Sequence, residues 1–184
     1  MARPAPVSGP NISPASLPAT RFSWRLRYDI LPSDREAVRA LVDRTGFFHR
    51  DEIDIAVELV EARLTDGEAS GYEFIFANSP EALAGYACYG AIPCTAAGFD
   101  LYWIAVDPDF QRQGLGRVLI EAVESQIAAK GGERIYIDTS GRDQYQPTRA
   151  FYERSGFCCE ARLKDFYSPG DDRVIYVKSL MKTR

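Results

Sequence analysis

The chain has one histidine, His49, in 184 residues, and its four cysteines, Cys88, Cys94, Cys158 and Cys159, contain no C-x-x-C pair. Thiolate and imidazole metal centres need their ligands in clusters, so no metal is expected. The adjacent Cys158 and Cys159 are poorly placed to bridge each other. The expectation is four reduced thiols in a cytoplasmic protein, with two or more packed as small apolar side chains. Positive charge is also scarce, since 22 Lys and Arg stand against 26 Asp and Glu. Binding to a phosphate backbone draws on a basic excess that this chain lacks, so nucleic acid is not an expected partner. No apolar run reaches the roughly 18 residues of a bilayer span, and no membrane partner is expected. The proline-rich start contains no export-signal core.

Residues 1–20 (MARPAPVSGPNISPASLPAT) carry prolines at 4, 6, 10, 14 and 18 and read as a disordered arm. Residues 21–184 suffice for one domain with a self-sufficient core. Within that span, Phe22 to Ile30 alternates like a strand, and Ser33 with Glu36 forms a capping-box pattern for a helix to about Arg44. A second helix follows from Asp51 to Leu64, then strands over Tyr72 to Ala77, Leu83 to Ile92 and Phe99 to Val106. A helix from about Leu115 to Ile127 ends at Lys130-Gly131-Gly132. A strand over Arg134 to Thr139, a helix over Pro147 to Ser155 and two strands, Phe157 to Tyr167 and Arg173 to Met181, complete the chain. The order β-αα-β-β-β-α-β-α-β-β implies an α/β (α+β mixed) domain with helices on both faces of a mixed sheet.

The segment DPDFQRQGLG, Asp107 to Gly116, joins a strand to a helix through two glycines. Backbone N–H groups that converge at a helix N-terminus make an anion site, although glycines in such turns also serve packing. Neither G-x-x-x-x-G-K-[ST] nor G-x-G-x-x-G is present, which excludes the common nucleotide-hydrolase and dinucleotide loops.

Gln111-Arg112-Gln113-Gly114-Leu115-Gly116 resembles the Q/R-x-x-G-x-G/A pyrophosphate loop of the GNAT superfamily of acyl-CoA-dependent N-acyltransferases, as does the wider stretch IAVDPDFQRQGLGRVLIEAVE. Downstream, AFYERSGF (Ala150 to Phe157) is similar to that family's A-[LF]-Y-x-x-x-G-F. The resemblance implies a twisted, mostly antiparallel mixed sheet of about seven strands whose fourth and fifth members splay apart. It also implies acetyl-CoA as co-substrate, with the backbone of Ile104, Ala105 and Val106 along its pantetheine arm. The pyrophosphate falls to Gln111, Arg112, Gln113, Gly114, Leu115, Gly116 and Arg117.

The implied activity is N-acetyl transfer to a primary amine of a small molecule, an amino acid or a protein N-terminus. A non-catalytic acyl-CoA-binding regulatory module is the alternative on the same fold, and it would have no use for Tyr152. The resemblance assigns Tyr152 the role of hydrogen-bonding and protonating the departing thiolate, while Phe151 fills the packing role. A phenol near 10 passing its proton to a thiolate near 8.5 climbs only about 2 kcal/mol. For a general base the candidate is Asp138, because relatives that acetylate protein N-termini carry a glutamate at the matching place; a structural hydrogen-bonding role is equally open. Tyr145 stands where many members have an asparagine that contacts the pantetheine arm. Acceptor residues are expected in Phe47-Phe48-His49-Arg50-Asp51-Glu52 and Lys164-Asp165-Phe166-Tyr167-Ser168, with His49 a surface or capping residue. A monomer or a homodimer is compatible with the resemblance.

Overall fold

The computed structural model describes residues 23–180, so the arm expected over residues 1–20 lies outside the described residues, as do Phe22 and Met181 at the ends of two expected strands. In chain order the elements are β1 (Arg25–Arg27), α1 (Asp34–Thr45), α2 (Arg50–Asp66), β2 (Glu73–Asn78), β3 (Leu83–Ala91), β4 (Gly98–Val106), α3 (Leu115–Ala129), β5 (Arg134–Ser140), α4 (Gln146–Arg154), β6 (Cys158–Ser168) and β7 (Asp171–Ser179). They form a seven-stranded sheet in the order β1-β2-β3-β4-β5-β7-β6. Every neighbouring pair is antiparallel except β4 and β5, which run parallel. The expected mixed, mostly antiparallel α/β architecture is therefore present.

Two apolar clusters hold the helices to opposite faces. Leu115, Leu119, Val123 and Ile127 of α3, with Tyr152 of α4, pack on Ile75, Ala87, Leu101, Ile137 and Val174. On the other face Val38, Leu41 and Val42 of α1 and Ile53, Ala56 and Val60 of α2 pack on Phe74, Phe76, Tyr86 and Ala105. That second cluster draws on β2, β3 and β4 and contains no residue of β5, β6 or β7.

Several local expectations are corrected. The Ser33–Glu36 capping box does not form, because Ser33 has helical dihedrals and caps nothing. Asp34 fastens the helix start instead: its Oδ2 accepts from the Leu31 N–H at 2.7 Å, and its two oxygens accept from the Arg27 guanidinium at 3.0 and 2.7 Å. Only Cys88 is buried; Cys94, Cys158 and Cys159 are exposed, the last two because β6 is the bare edge of the sheet.

The feature that makes the cleft is in β4. Its ladder with β3 shifts register between Cys88 and Tyr89, whose partners are Trp103 and Leu101, so Tyr102 is an extra, bulged residue. Its ladder with β5 has only three pairs, Gly98 with Arg134, Phe99 with Ile135 and Asp100 with Tyr136. A bulge bends and twists its strand, and this one sits just beyond the last β4–β5 pair. From there the two strands diverge.

The bulge is buttressed through Gly90 on β3. A Cβ there would lie 2.3 Å from the Gly71 carbonyl oxygen and 3.1 Å from the Tyr102 ring. Gly90→Ala is expected to cost about 2 kcal/mol, as overpacking against backbone does, read as a lower urea midpoint with unchanged slope. An unchanged midpoint would mean that the Gly71 turn is not seated on β3.

Candidate active site

Where β4 and β5 part, a cleft of about 540 Å³ opens, lined by Ile104, Ala105, Val106, Gln111, Asp138 and Tyr152 among the residues singled out from the sequence. Beyond Asp100 the side of β4 that faces the cleft has no strand partner, so its backbone groups other than the Val106 carbonyl, which accepts from Gln111 Nε2, are open to an extended ligand. Across the mouth stand Phe47, Phe48, His49 and Glu52 from the α1–α2 connection and the start of α2, with Tyr167 and Ser168 from the end of β6. Both expected acceptor segments therefore reach the cleft, although Arg50, Asp51, Lys164, Asp165 and Phe166 do not line it. His49 precedes α2 as its cap residue, and its N–H donates to Glu52 Oε2 at 2.8 Å.

Tyr152 belongs at once to the α3–α4 core and to the cleft wall. It is 6% exposed, with the rings of Phe151, Phe157 and Tyr176 at centroid distances of 5.6, 6.1 and 5.9 Å. Burial, with a smaller contribution from Tyr145, pushes its phenol well above the usual range, so the hydroxyl keeps its proton at any physiological pH. No described residue hydrogen-bonds that hydroxyl, which leaves a donor at the cleft wall for whatever occupies the cleft. Phe151 is partly buried against the same core, as expected for the packing member of the pair.

Asp138 also lines the cleft, but its Oδ2 is bonded by the Arg173 guanidinium from the adjacent β7. Three cleft residues were not singled out from the sequence: Ser140, Arg142 and Asp171, which form a polar knot. Ser140 Oγ donates to Asp171 Oδ1 at 2.5 Å, and Arg142 Nε lies 3.0 Å from Asp171 Oδ2. Asp171 is 5% exposed, so its charge is compensated inside the fold. The knot ties the start of β7 to the end of β5. Arg149 of α4 secures it by donating to the Ser140 and Arg142 carbonyls, both at 2.8 Å. Tyr145 closes this side, its ring edge-on to Phe47 at 6.1 Å and under Arg142 at 5.7 Å. Burial, then the Glu52 charge, raises its phenol. Period two along β5 places Ser140 on the Asp138 face and was available in the sequence; Asp171, beyond a turn, was not.

The glycine loop lies at the end of the cleft, and beyond Gln111 its residues do not line it. Arg112 and Gly114 both have left-handed backbones, φ 57° and 86°. Gly114 is the N-cap of α3, and no side chain caps that first turn. Left-handed residues on either side of Gln113 lead into a helix whose first turn no side chain caps, so the N–H groups of that turn are left for an anion. The two glycines have different reasons. Gly114 is required by its dihedral, since a Cβ there would touch nothing, whereas a Cβ on Gly116 would come 3.3 Å from the Phe151 ring. Leu115 is buried and contributes only backbone, while the Arg117 guanidinium is bonded to Glu121 at 2.6 Å. Two amides shape the loop: Gln111 Nε2 donates to the Val106 carbonyl at 3.1 Å and Gln113 Nε2 to that of Asp109 at 2.8 Å. Arg44 of α1 pins it through Asp107 and Asp109, at 2.8 Å each. Among the described residues no group of three or more His, Cys, Asp or Glu is placed to hold a metal ion, and no helix is long and apolar enough to cross a membrane.

Compared with known proteins, residues 35–157 match the profile of the Acetyltransferase (GNAT) family. A crystal structure of a GNAT-family protein from Desulfovibrio desulfuricans superposes with a TM-score of 0.85 at 47% identity, covering 86% of this chain and 100% of that one. The ribosomal protein bS18-alanine N-acetyltransferase of Escherichia coli K12 is 39% identical over 72 residues, which are 39% of this chain and 47% of that relative, so the alignment spans about half of its length. An aminoglycoside 6'-N-acetyltransferase solved with coenzyme A shares the fold, with a TM-score of 0.68 at 16% identity over 87% of this chain and 99% of that one.

The burial of Tyr152 carries a pH signature. A phenol whose folded value is raised above the unfolded value near 10 contributes stability that is complete below pH 10 and is lost as pH rises further. Between pH 9 and 11 the urea midpoint of Tyr152→Phe is expected to fall less than that of the parent protein. Equal falls would show that the phenol is not held in the core.

Proposed function

The chain belongs to the GNAT acetyltransferase family, and from that premise we propose that it transfers an acetyl group from acetyl-CoA to a primary amine in the cleft between β4 and β5. The observation that carries this reading is Tyr152, a buried side chain at the wall of a cleft that ends on an uncapped helix, whose hydroxyl makes no hydrogen bond to any described residue. A module that only binds the acyl carrier has no need of such a donor.

The donor fits what the chain presents. The unpaired side of β4 over Ile104, Ala105 and Val106 suits an extended amide-bearing arm. The N–H groups of the loop from Gln111 to Gly116, with Arg112 exposed beside them, suit a pyrophosphate. Acetyl-CoA supplies a thioester whose carbonyl the amine attacks, the C–S bond breaking as coenzyme A leaves as a thiolate. Tyr152 donates a hydrogen bond to that sulfur. Because burial raises the phenol, full proton transfer to the thiolate costs more than the 2 kcal/mol of ordinary values, so its contribution is mainly the hydrogen bond.

The acceptor must arrive as a neutral amine. At pH 7 that costs about 4.6 kcal/mol for a lysine-like amine and about 1.4 for an α-amine. Every carboxylate that lines the cleft already accepts a bond: Asp138 from Arg173, Asp171 from Ser140 and Arg142, and Glu52 from the His49 N–H. In the case of Asp138, the guanidinium competes with the amine proton for the carboxylate, which supports the structural role over that of general base. An acceptor that needs little help to lose its proton, an α-amine, fits this cleft best. The curated relative named as a ribosomal-protein alanine N-acetyltransferase supports the same choice.

Release of free thiol across amines, amino acids and N-terminal peptides tests the activity. Tyr152→Phe is expected to lower kcat by about 10²-fold with acetyl-CoA affinity unchanged. Undiminished turnover would remove Tyr152 from the mechanism. Gly114→Val, which forces a branched side chain to φ 86°, is expected to raise the acetyl-CoA Kd about tenfold or more. Unchanged binding would contradict the pyrophosphate assignment.

A further inference from the structure

On the α1–α2 face the sheet is only half covered. The helices pack on β2, β3 and β4, and no residue of the strands beyond β4 joins that cluster; on those strands Asp138, Cys158 and Leu163 are exposed and Tyr136, Ile175 and Val177 partly exposed. The registers show what the bare half presents, because residues paired across a ladder share a face. Ile137, Val174 and Tyr176 belong to the opposite core, so the alternate positions face outward. Three rows cross β5, β7 and β6. Ser140, Arg173 and Leu163 form the row at the cleft, Asp138, Ile175 and Ala161 the next, and Tyr136, Val177 and Cys158 the third, with Asp100 of β4 beside Tyr136. The row at the cleft ends in exposed aliphatic and aromatic surface: Leu163 is 42% and Phe166 50% exposed, and the Arg173 guanidinium lies 5.0 Å over the Phe166 ring.

Charge on this shelf is unevenly paired. Asp138 and Arg173 neutralise each other. Asp100 is half-buried and has no hydrogen-bond or ion-pair partner among the described residues, and burial followed by the Asp138 charge raises its carboxyl. The bulged Tyr102, 38% exposed, is close enough to Asp100 for its phenol to feel that charge, and it also lines the cleft. Arg134, one row further out, is the next exposed charge. A carboxylate bounded by tyrosines on an apolar floor suits a lysine or arginine side chain.

We propose that the outward face of β5, with β7 beside it, is the docking surface for a polypeptide acceptor, whose extended N-terminal segment runs along β5 and sets a basic side chain at Asp100 on the neighbouring β4 while its α-amine enters the cleft. The proposal rests on the acetyltransferase reading and narrows its acceptor. Continuity supports it, since the shelf runs into the cleft through Asp138 and Tyr102, both of which line it. Charge complementarity supplies the chemistry of the partner. Four residues of β5 separate the Ser140 row from the Tyr136 row, about 13 Å at strand rise, so the basic side chain belongs about four to six residues from the reacting terminus.

The test compares thiol release from alanyl-serine amide with release from ten-residue peptides that begin Ala-Ser and carry a single lysine moved through positions 3 to 8. The expected result is a kcat/KM at least about tenfold above the dipeptide amide when lysine stands near position 5, and little gain when it stands at position 8. Ile175→Asp is expected to abolish the gain from length. Asp100→Lys is expected to transfer the preference to glutamate at the same position, a reversal that mere loss of folding cannot produce. Both variants should turn over the dipeptide amide within about twofold of the parent. Turnover of short amines with no gain from length, or a gain indifferent to Asp100, overturns the docking proposal and leaves the enzymatic reading standing. Thiol release from no acceptor at all sinks both. If sedimentation shows a dimer that Ile175→Asp dissociates, the shelf is a contact between copies of this chain and the proposal is wrong.

Discussion

Hydrogen bonding between β4 and β5 runs for three pairs and then ends, beside an extra residue in β4 at Tyr102. Parallel strands in a packed sheet do not ordinarily give up their ladder, because each unpaired N–H and C=O loses a partner of its own. Here the loss is confined to the halves of the strands that border the cleft, where a ligand can restore the bonds. The bulge and the three-pair ladder are thus two sides of one constraint. Tyr152 at the wall, the glycine loop beyond Val106 and the α1–α2 connection across the mouth are all arranged around the gap that it makes.

Around that gap, rigidity comes from charges that are compensated within the fold. Asp34 holds Arg27 at the start of α1, Arg44 holds the loop after β4 through Asp107 and Asp109, and Asp171 holds Ser140 and Arg142 at the end of β5. Asp34, Asp107 and Asp171 are all buried, so losing the partner of any one would leave an uncompensated charge inside. The cleft is bordered by such anchors on both sides, while the Tyr152 hydroxyl is left without a protein partner. Elsewhere among the described residues Asn78 Oδ1, the Tyr86 hydroxyl and Arg173 Nε are buried without a partner, but of these residues only Arg173 forms an ion pair with a cleft side chain, Asp138.

The two faces of the sheet are used differently. α3 and α4 reach from β2 across to β7, which puts the N-terminus of α3 and the Tyr152 side chain on the same face as the donor loop. α1 and α2 stop at β4, and the strands beyond are bare on that side. The two ends of the cleft differ in kind, one closed by the N-terminus of α3, the other opening beside the strands that α1 and α2 leave uncovered.

Local letters were enough for the elements. The order of strands and helices, the glycine loop before α3, Gly131 after it, Pro147 in the first turn of α4 and the aromatic pair Phe151-Tyr152 all rest on interactions within a few residues, and all are found. The two sequence motifs also sufficed for the family, since a cradle of backbone N–H groups needs particular residues at fixed spacing. What failed were inferences that local spacing cannot settle. The Ser33–Glu36 pattern lost to Asp34 because Arg27 comes from another element, and Cys158 and Cys159 are exposed because only sheet order makes β6 an edge. Asp138 could be placed on its strand face from period two, but its Arg173 partner lies 35 residues away and is brought to it only by the β5–β7 ladder. Ser140, Arg142 and Asp171 meet for the same reason. Sequence determined the periodicities and the glycine loop, which are properties of neighbouring residues. Tertiary structure decided which charges are spent on one another, which face is bare and where β4 leaves β5, because each of these depends on a residue that the chain reaches only after folding.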